Sequence, residues 1–316
     1  MEKFKQYRFR ASQSFYLDVG TIGVTENQDQ EISDLLYEKE HGINANGNKV
    51  KFTDKKAEKL ATLQTKKSNK ELPKTMKTEL RKIHRAEKFN RNFLFTNKFV
   101  QKGLSEEEEA ITTYINYRKK VLGIRTHFSK NDLRLFNDFF QGEPDINPFL
   151  DNELKKGADT KCSWSLDSFP YPEDTLDNRY ECQNQVYMDL TGADVWETVY
   201  VLVNASEDLI HKEKQKWFYA LQMPGEVEHK YYKEYVQKCK EIEKMMIFDY
   251  DRFVEINPSH IMEYSRSEWF AEGNDIPLKN RVCIKTSIKD EDKIQKLRDR
   301  ATIARKYLLS LEEQTL

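Results

Sequence analysis

Residues 142–161 read GEPDINPFLDNELKKGADTK, and this stretch decides the fold of the chain. It predicts a turn that ends at Asp145, an extended segment after it, and a strand over 158–163. Residues two apart in a strand point to the same face, so Asp159 and Lys161 emerge together. Asp145 can meet them if its own strand pairs alongside.

Two carboxylates beside a lysine are typical of a site for a hard cation. Carboxylate oxygens hold Mg²⁺ or Mn²⁺. Such a metal lowers the pKa of a bound water, and an ammonium orients that water or stabilises charge on a reacting phosphate. In a chain with 33% charged residues the same spacing also arises by chance. Charged surface turns are therefore the alternative interpretation.

A helix is predicted to begin at Ser105, where Ser105 and Glu108 have the spacing of a capping box. Glu107 lies on its apolar side, three residues after Leu104 and four before Ile111. An inward carboxylate is costly unless it has a cation or hydrogen bonds, which makes Glu107 a candidate metal ligand. The alternative is that these acidic residues only complement the helix dipole.

A second helix is predicted from about Asn178 to Leu190, with Gly192 as its stop. Gln183 shares one face of this helix with Tyr180 and Tyr187. A buried amide needs partners, so Gln183 either holds a group of the site or makes structural hydrogen bonds.

The other elements are less distinctive. Residues 52–70 are lysine-rich and expected to be mobile, whereas Thr75–Phe89 has helical spacing of apolar residues. Thr198–Val203 suits a buried strand, and two amphipathic helices are predicted beyond Pro224. This order predicts a mixed α/β core with helical additions, in one compact unit.

Charge is unevenly distributed. The net charge is −1, but residues 49–102 hold 17 lysines and arginines against five aspartates and glutamates. Such asymmetry indicates a surface for a polyanion next to an acidic site. A lysine-rich solvated helix is the alternative.

Several classes of protein are excluded by the sequence. Clustered cysteines of the CxxC type, HExxH, GxSxG, GxxxxGK[ST] and GxGxxG are all lacking. The four scattered cysteines predict reduced thiols in a cytosolic protein. The first 15 residues contain no apolar segment, and the longest apolar run is about five residues, Val199–Val203. A secreted or membrane protein is therefore not expected.

The motifs together resemble a known family. Residues 183–192, QNQVYMDLTG, resemble the QxQxxM…TG signature of phage exonucleases of the YqaJ-like, lambda-exonuclease type, within the PD-(D/E)xK phosphodiesterase superfamily. Lys102-Gly103 with Glu107, Ala110 and Tyr114 is similar to the family's G-x-x-x-E-x-x-A helix, and Arg10-Ala-Ser12 to its N-terminal A-S motif. Asp145 and Asp159-Thr-Lys161 look like the two halves of the superfamily motif.

The resemblance implies a restriction-endonuclease-like core, in which helices flank a mixed central sheet, with helical C-terminal additions. It implies one nuclease domain over residues 1–316. Its core would span about 75–205, its basic region about 49–102 and its helical extension about 206–316.

The resemblance implies a Mg²⁺-dependent (or Mn²⁺-dependent) exodeoxyribonuclease that degrades one strand of duplex DNA from its ends in phage recombination. The implied metal ligands are Asp145, Asp159, the Thr160 carbonyl and Glu107. Lys161 would position the nucleophilic water, and Gln183 would hold Lys161 or the scissile phosphate.

The implied DNA contacts are Arg10, Ser12, Gln185, and three lysines of the basic region, Lys66, Lys67 and Lys70. Implied partners are duplex DNA ends, a phage single-strand annealing protein and further copies of the chain in a ring. The implied location is the cytoplasm of a bacterial host.

One departure and two rivals stand beside this interpretation. The strand before Asp159 begins Lys155-Lys-Gly157, where the family has apolar residues, so a short or edge strand is expected. A RecB- or Cas4-like nuclease also fits the spacing of Gln183 and Tyr187. An inactive DNA-binding or inhibitor protein on the same scaffold is the rival of another class.

Overall fold

The computed structural model describes residues 2–91, 97–124, 130–151, 154–223, 230–256 and 275–314. The chain forms two compact units. The first comprises Met1–Phe9, Gln13–Phe93 and Gln295–Leu316, and the second comprises Arg10–Ser12 and Leu94–Ile294. The expected single domain stays a prediction, because two compact units can belong to one folding domain.

Both units are rich in helix. In chain order the helices are α1 (Glu2–Lys5), α2 (Phe15–Asp18), α3 (Glu26–His41), α4 (Asp54–Ser68), α5 (Lys74–Phe89), α6 (Lys98–Ser105), α7 (Glu107–Lys120), α8 (Asn178–Thr191), α9 (Glu207–Ala220), α10 (Tyr232–Met246), α11 (Tyr250–Ile256) and α12 (Glu291–Gln314). The strands are β1 (Phe9–Arg10), β2 (Leu135–Phe136), β3 (Phe140–Gly142), β4 (Ile146–Asp151), β5 (Leu154–Cys162), β6 (Val195–Val201) and β7 (Val282–Ile288).

The first unit contains α1 to α5 and most of α12. The expectation that residues 52–70 are mobile is wrong, because α4 occupies most of them. Leu60 and Leu63 of α4 are buried against Ile32 and Leu35 of α3, so the lysine-rich segment has an apolar side. The predicted helix over Thr75–Phe89 is confirmed as α5, which buries its apolar side.

The second unit is built on a four-stranded sheet in the order β4-β5-β6-β7. Strand β5 is antiparallel to β4 and parallel to β6, and β7 is antiparallel to β6. The mixed α/β class predicted from the sequence is therefore confirmed. The extended segment predicted after Asp145 is confirmed as β4, and the strands predicted over 158–163 and Thr198–Val203 are confirmed as β5 and β6, with β6 beginning three residues earlier than predicted.

Strand β5 is neither short nor at an edge, so that expectation is wrong. It has nine residues and pairs with β4 on one side and β6 on the other. Gly157, one of the residues that led to this expectation, has a packing role. Gly157 lies opposite Trp196, and a Cβ on Gly157 would overlap the Trp196 ring, which is fully buried. Glycine is required here because the indole occupies the place of a side chain.

Helices α8 and α7 cover opposite faces of the sheet. On one face, Asn184 of α8 donates to the hydroxyl oxygens of Thr198 in β6 and Ser287 in β7, at 2.8 and 2.9 Å. On the other face, Tyr114 of α7 donates to the buried carboxylate of Glu197 in β6. The helix predicted over Asn178–Leu190 is confirmed, and it ends at a left-handed glycine, as predicted.

The capping box predicted at the start of α7 is wrong. Ser105 is the last residue of α6, and α7 begins two residues later at Glu107. The Ser105 hydroxyl donates to the Glu106 carboxylate at 2.8 Å instead of capping α7. A two-helix junction therefore replaces the single helix start.

The C-terminal extension is not wholly helical. Helices α10 and α12 confirm the two amphipathic helices predicted beyond residue 224. Strand β7 and helix α9 were not predicted, and β7 completes the sheet by pairing along all of β6. Among the residues described, no helix combines the length and apolar character needed to cross a bilayer.

Gly157→Ala is predicted to destabilise the protein by about 2 kcal/mol or more, because the added methyl forces the buried Trp196 ring to move. Gly103→Ala is the matched control. No atom lies within 4 Å of its added Cβ, and it sits inside helix α6, so it should be neutral or slightly stabilising. Urea unfolding of the three proteins measures both effects. Equal stability of the two variants would contradict the packing role of Gly157.

Candidate active site

The antiparallel pairing of β4 and β5 brings the predicted acidic residues together. Ile146 lies opposite Ala158, so Asp145 and Asp159 are neighbours across the pair. Asp145 Oδ2 accepts hydrogen bonds from the backbone N–H and the hydroxyl of Thr160, at 2.7 and 2.8 Å. These bonds fix one oxygen of Asp145 against the strand that carries the other two motif residues.

Asp159 and Lys161 form a buried ion pair on the same face of β5. Asp159 is 2% exposed. Burial and the charge of Asp145 raise the pKa of Asp159 to about 7, although Lys161 opposes the rise. Burial alone would lower the pKa of Lys161, but the carboxylates of Asp159 and Asp145 together raise it above its ordinary value. The site thus holds two carboxylates and one charged lysine.

Gln183 of α8 faces these residues. Its amide nitrogen lies 3.5 Å from Asp159 Oδ2 and 3.1 Å from the hydroxyl of Tyr187. The Tyr187 hydroxyl in turn donates to the carbonyl of Glu143 at 3.1 Å. Tyr187 therefore connects the helix to the turn before Asp145. It is absent from the predicted site, although its position one helical turn after Gln183 could have revealed it.

The turn before Asp145 is closely packed. A Cβ on Gly142 would lie 2.7 Å from Tyr187 Cε1 and 3.0 Å from the Cβ of Ala11. Ala11 is buried here, whereas its neighbours Arg10 and Ser12 are exposed. Both predicted DNA contacts of this segment therefore lie on the surface, adjacent to the turn that carries Asp145.

Glu107 is less inward than predicted. Leu104, which was taken to mark its side of the helix, is 71% exposed. Glu107 is half-buried and pairs with Lys130, 3.3 Å away. Lys130 also forms a β-bridge with Ile146, the residue after Asp145. Glu107 is thus linked to the edge of the site through Lys130, with no direct contact to Asp145 or Asp159 among the hydrogen bonds of the described chain.

The buried carboxylate of the acidic run is Glu106. It is 7% exposed and accepts from the Ser105 hydroxyl at 2.8 Å and from the backbone N–H of Ser206 at 3.0 Å. A carboxylate with these two donors needs no metal to be satisfied. Glu106 therefore holds the junction of α6 and α7 in place.

Gln185 does not face the site, which corrects the predicted DNA contact. It is 1% exposed, and its amide nitrogen donates to Glu181 and to the carbonyl of Ile288, both at 2.8 Å. Its amide oxygen accepts from the backbone N–H of Asp290 at 2.9 Å. Because all of its contacts are internal, Gln185 is structural, and Gln183 is the glutamine of the signature that faces the carboxylates.

The three predicted DNA-binding lysines belong to the first unit. Lys66 donates to Gln28 at 2.9 Å, and Lys67 pairs with Asp29. Lys70 is exposed, in a left-handed conformation after α4. An open groove of about 950 Å³ lies beside them within the same unit. Its cationic lining residues are Lys66, Lys70, Lys77 and Lys306.

Lys102, named above only within the family's helix motif, supports the end of β5. Lys102 of α6 is fully buried, and its ammonium donates to the carbonyls of Ser163 and Trp164 at 2.9 and 3.2 Å. Burial lowers the pKa of Lys102 to about 8. Its contacts fix the segment that follows Lys161 directly.

The donor set fits a hard divalent cation. Asp145 Oδ1, Asp159 and the Thr160 carbonyl supply oxygen ligands, and Mg²⁺ needs only one or two carboxylates when water and phosphate complete its shell. Burial and the Asp145 carboxylate raise the pKa of Asp159, and a bound cation would lower it. No group of three or more histidine, cysteine or acidic side chains is gathered for a metal within the described ranges.

Comparison of the structure with solved structures finds two similar proteins. A phage-related exonuclease from Haemophilus somnus 129PT aligns with a TM-score of 0.57 and 21% identity, over 98% of this chain and 97% of that chain. An alkaline exonuclease from Laribacter hongkongensis aligns over 100% of this chain and 96% of that chain, with a TM-score of 0.46 and 10% identity. No protein-family model and no curated protein matches the sequence.

The chain therefore has the fold of a phage-related exonuclease, over nearly the full length of both proteins. The resemblance to lambda-exonuclease-type proteins, predicted from the motifs, is confirmed at the level of the fold.

Ionised Asp159 is predicted to reduce the stability of the metal-free protein. The folded state binds this proton with a pKa of about 7, whereas the ordinary pKa is about 4. The bound proton therefore adds to the free energy of unfolding. This contribution is fully present below about pH 4 and is lost as the pH rises to about 7.

Asp159→Asn should remove this dependence. In EDTA, the variant should gain about 1 kcal/mol or more relative to the wild type between pH 5 and pH 7, and little between pH 7.5 and pH 8.5. Urea unfolding at each pH measures the difference. A difference that is constant from pH 5 to pH 8.5 would show that Asp159 is ionised throughout.

Proposed function

We propose that the chain is a metal-dependent deoxyribonuclease, an exonuclease that degrades one strand of duplex DNA from its ends in phage recombination. The observation that carries the proposal is the convergence of Asp145, Asp159, Lys161 and Gln183 at the paired strands β4 and β5. The fold of a phage-related exonuclease supports it. The same residues support assignment of the core to the PD-(D/E)xK superfamily.

Asp145, Asp159 and the Thr160 carbonyl would hold Mg²⁺ or Mn²⁺, with Glu107 reaching it directly or through water. The bound metal would lower the pKa of a water and polarise the scissile phosphate. Thr160 positions the site even without metal, because its N–H and hydroxyl hold Asp145 Oδ2 in place. Asp145 is then pre-oriented, with its second oxygen available.

Lys161 has the charge state that the chemistry requires. Its ammonium is paired with Asp159 and lies 5.3 Å from the ring centroid of Tyr180, which limits its movement. A charged lysine in this position can orient the attacking water and stabilise negative charge on the phosphate. The Gln183 amide has two N–H donors, of which one bonds to Tyr187. The second can bond to either Asp159 or a phosphate oxygen.

The proposed partners follow from the same interpretation. Duplex DNA ends would be the substrate, and the lysines beside the groove of the first unit would contact the phosphate backbone without sequence preference. A phage single-strand annealing protein and a ring of identical chains remain proposals, as does the bacterial cytoplasm as location.

The rival nuclease class receives no support from the cysteines. Cas4-like proteins use clustered cysteines for an iron–sulfur cluster. Here Cys162 lies in β5, Cys182 in α8, Cys239 in α10 and Cys283 in β7, and all four are free thiols. The inactive-scaffold rival predicts DNA binding without cleavage, so a cleavage assay separates it from the proposed function.

Asp145→Ala, Asp159→Ala and Lys161→Ala should each lower the cleavage rate at least a hundredfold, because each removes a metal ligand or the charged lysine. The assay is nucleotide release from end-labelled linear duplex, with Mg²⁺ and with EDTA. Circular dichroism and melting confirm folding. If two of the three variants kept near-normal rates, the assignment of the site would fail.

Glu107→Gln and Glu108→Gln form a matched pair on the first turn of α7. Both glutamates contact Lys130, but the side chain of Glu108 is 85% exposed and that of Glu107 only 33%. Glu107→Gln should raise the Mg²⁺ concentration needed for half-maximal cleavage several-fold, and Glu108→Gln should act like wild type. Equal effects of the two substitutions on this concentration would show that the glutamates at the start of α7 only interact with the helix dipole.

Neutralising the lysines of the groove should weaken DNA binding. Each phosphate contact contributes about one unit to the slope of log affinity against log salt, so Lys66→Gln with Lys70→Gln should lower the slope by roughly two. Lys67 is left unchanged because it pairs with Asp29. Lys119→Gln with Lys120→Gln, at exposed positions ending α7, is the control. Affinities are measured in metal-free buffer. Identical salt slopes for the wild type and the Lys66/Lys70 variant would show that DNA binds elsewhere on the protein.

A further inference from the structure

The groove of the first unit, with a volume of about 950 Å³, lies between two helices. One side of α4 and one side of α12 form its walls, and the turn between α4 and α5 adds the buried Leu72. The wall on α4 runs from Glu58 to Ser68, a length of roughly 15 Å at 1.5 Å per helical residue. A DNA strand has a phosphate about every 3.4 Å along the helix axis, so the wall matches roughly four nucleotides. The groove is thus large enough for a segment of a polymer.

The lining of the groove is positively charged. Its four lysines stand against two glutamates, Glu58 and Glu71, which leaves a net charge of +2. Glu71 is neutralised by Lys77, 2.7 Å away. Lys70 and Lys306 are exposed and make no ion pair within the residues that the structure describes. The groove therefore complements a ligand that carries several negative charges.

An aromatic ring lies within this charged lining. Tyr307 of α12 is half-buried and lines the groove together with Ile303, one helical turn earlier. The Tyr307 hydroxyl accepts a hydrogen bond from Arg81 Nε, 3.0 Å away, which limits rotation of the ring. An aromatic ring beside exposed lysines is the combination with which proteins bind single-stranded nucleic acids, since bases stack on the ring and phosphates contact the cations.

An unpaired strand uses this lining better than a duplex does. The bases of a duplex are paired and stacked on one another, so the lysines can contact its phosphates but Tyr307 has no base to stack on. A single strand can place a base on Tyr307 while its neighbouring phosphates reach Lys70 and Lys306. An acidic peptide would contact the lysines through its carboxylates, which leaves the fixed ring without a role. The lining therefore favours a single strand.

We propose that the groove of the first unit binds single-stranded DNA, with a base stacked on Tyr307 and phosphates held by Lys70 and Lys306. This inference rests on the proposed function for its ligand, because degradation of one strand of a duplex leaves the other strand unpaired. The lysines contact the phosphates of any DNA, and the ring of Tyr307 distinguishes an unpaired strand from a paired one.

The test measures affinities in metal-free buffer that contains EDTA. Three ligands of equal length are compared: a thymidine oligonucleotide, the same backbone without bases, and a duplex. Tyr307→Ala should lower the affinity for the thymidine strand about tenfold, which is within the usual cost of removing a ring on which a base stacks. The affinities for the abasic strand and for the duplex should stay at their wild-type values, because neither ligand stacks a base on the ring.

Further variants separate stacking from other effects. Tyr307→Phe keeps the ring and should bind the thymidine strand like the wild type. Lys70→Gln with Lys306→Gln should weaken the binding of all three ligands, since it removes phosphate contacts. Tyr219→Ala, at a tyrosine of α9 that is 70% exposed, is the control and should change none of the affinities. If Tyr307→Ala does not fold, Tyr307→Leu replaces it under the same criteria.

The inference is overturned if Tyr307→Ala binds the thymidine strand as tightly as the wild type does. It is also overturned if the variant loses as much affinity for the abasic strand, or for the duplex, as for the thymidine strand. Poly-glutamate that displaces the thymidine strand at equal concentration of charge would assign the groove to an acidic chain and overturn it as well.

The cleavage assay decides the proposed function separately. If the wild type does not cleave end-labelled duplex with Mg²⁺, the nuclease proposal fails, and the comparison of the thymidine and abasic strands still decides the inference. If the wild type cleaves the duplex but Tyr307→Ala leaves the affinity for the thymidine strand unchanged, the inference alone fails.

Discussion

The buried Asp159 carboxylate meets the Asp145 carboxylate and the Lys161 ammonium at the paired strands β4 and β5, and the surrounding residues of the second unit are arranged around that constraint. Burial and the neighbouring Asp145 carboxylate raise the pKa of Asp159, and the paired Lys161 ammonium opposes that rise. Thr160 secures one oxygen of Asp145, and Gln183 approaches Asp159 from α8. The fold therefore gathers these charged groups at a free-energy cost that the Lys161 ammonium partly offsets.

The sheet supplies the rigidity that such a site requires. Strand β5 pairs with β4 as far as Ala158 and with β6 as far as Cys162, so Asp159 and Lys161 extend a strand whose preceding residues are fixed on both sides. The absence of a side chain at Gly157 lets Trp196 lie over the strand, and Asn184 connects α8 to β6 and β7. Site geometry thus depends on packing at the face of the sheet that α8 covers.

The sequence predicted the elements whose signal is local. Turn residues, helix spacing and the D…DxK pattern located β4, β5 and α8 and brought Asp145, Asp159 and Lys161 together correctly, whereas Gln183 was placed with them only through the resemblance to the family. Features set by distant contacts were missed. Lysines gave α4 the pattern of a solvated loop because its apolar side is narrow, and β7 lies more than 80 residues after its partner β6. Gln183 and Gln185 could not be distinguished by type, since both are buried and only the contacts of Gln185 with the end of β7 and with Asp290 show that it faces away from the site.

The late position of β7 in the chain has a consequence for synthesis of the protein. The segments that make the site, from β4 to β6, leave the ribosome well before β7 does, so β6 then has one edge without a partner. An unpaired edge of mostly buried, apolar residues such as Val195, Val199 and Val201 is a template for association with other chains. Nascent or C-terminally truncated chains should therefore depend on chaperones, even though their acidic motifs are complete.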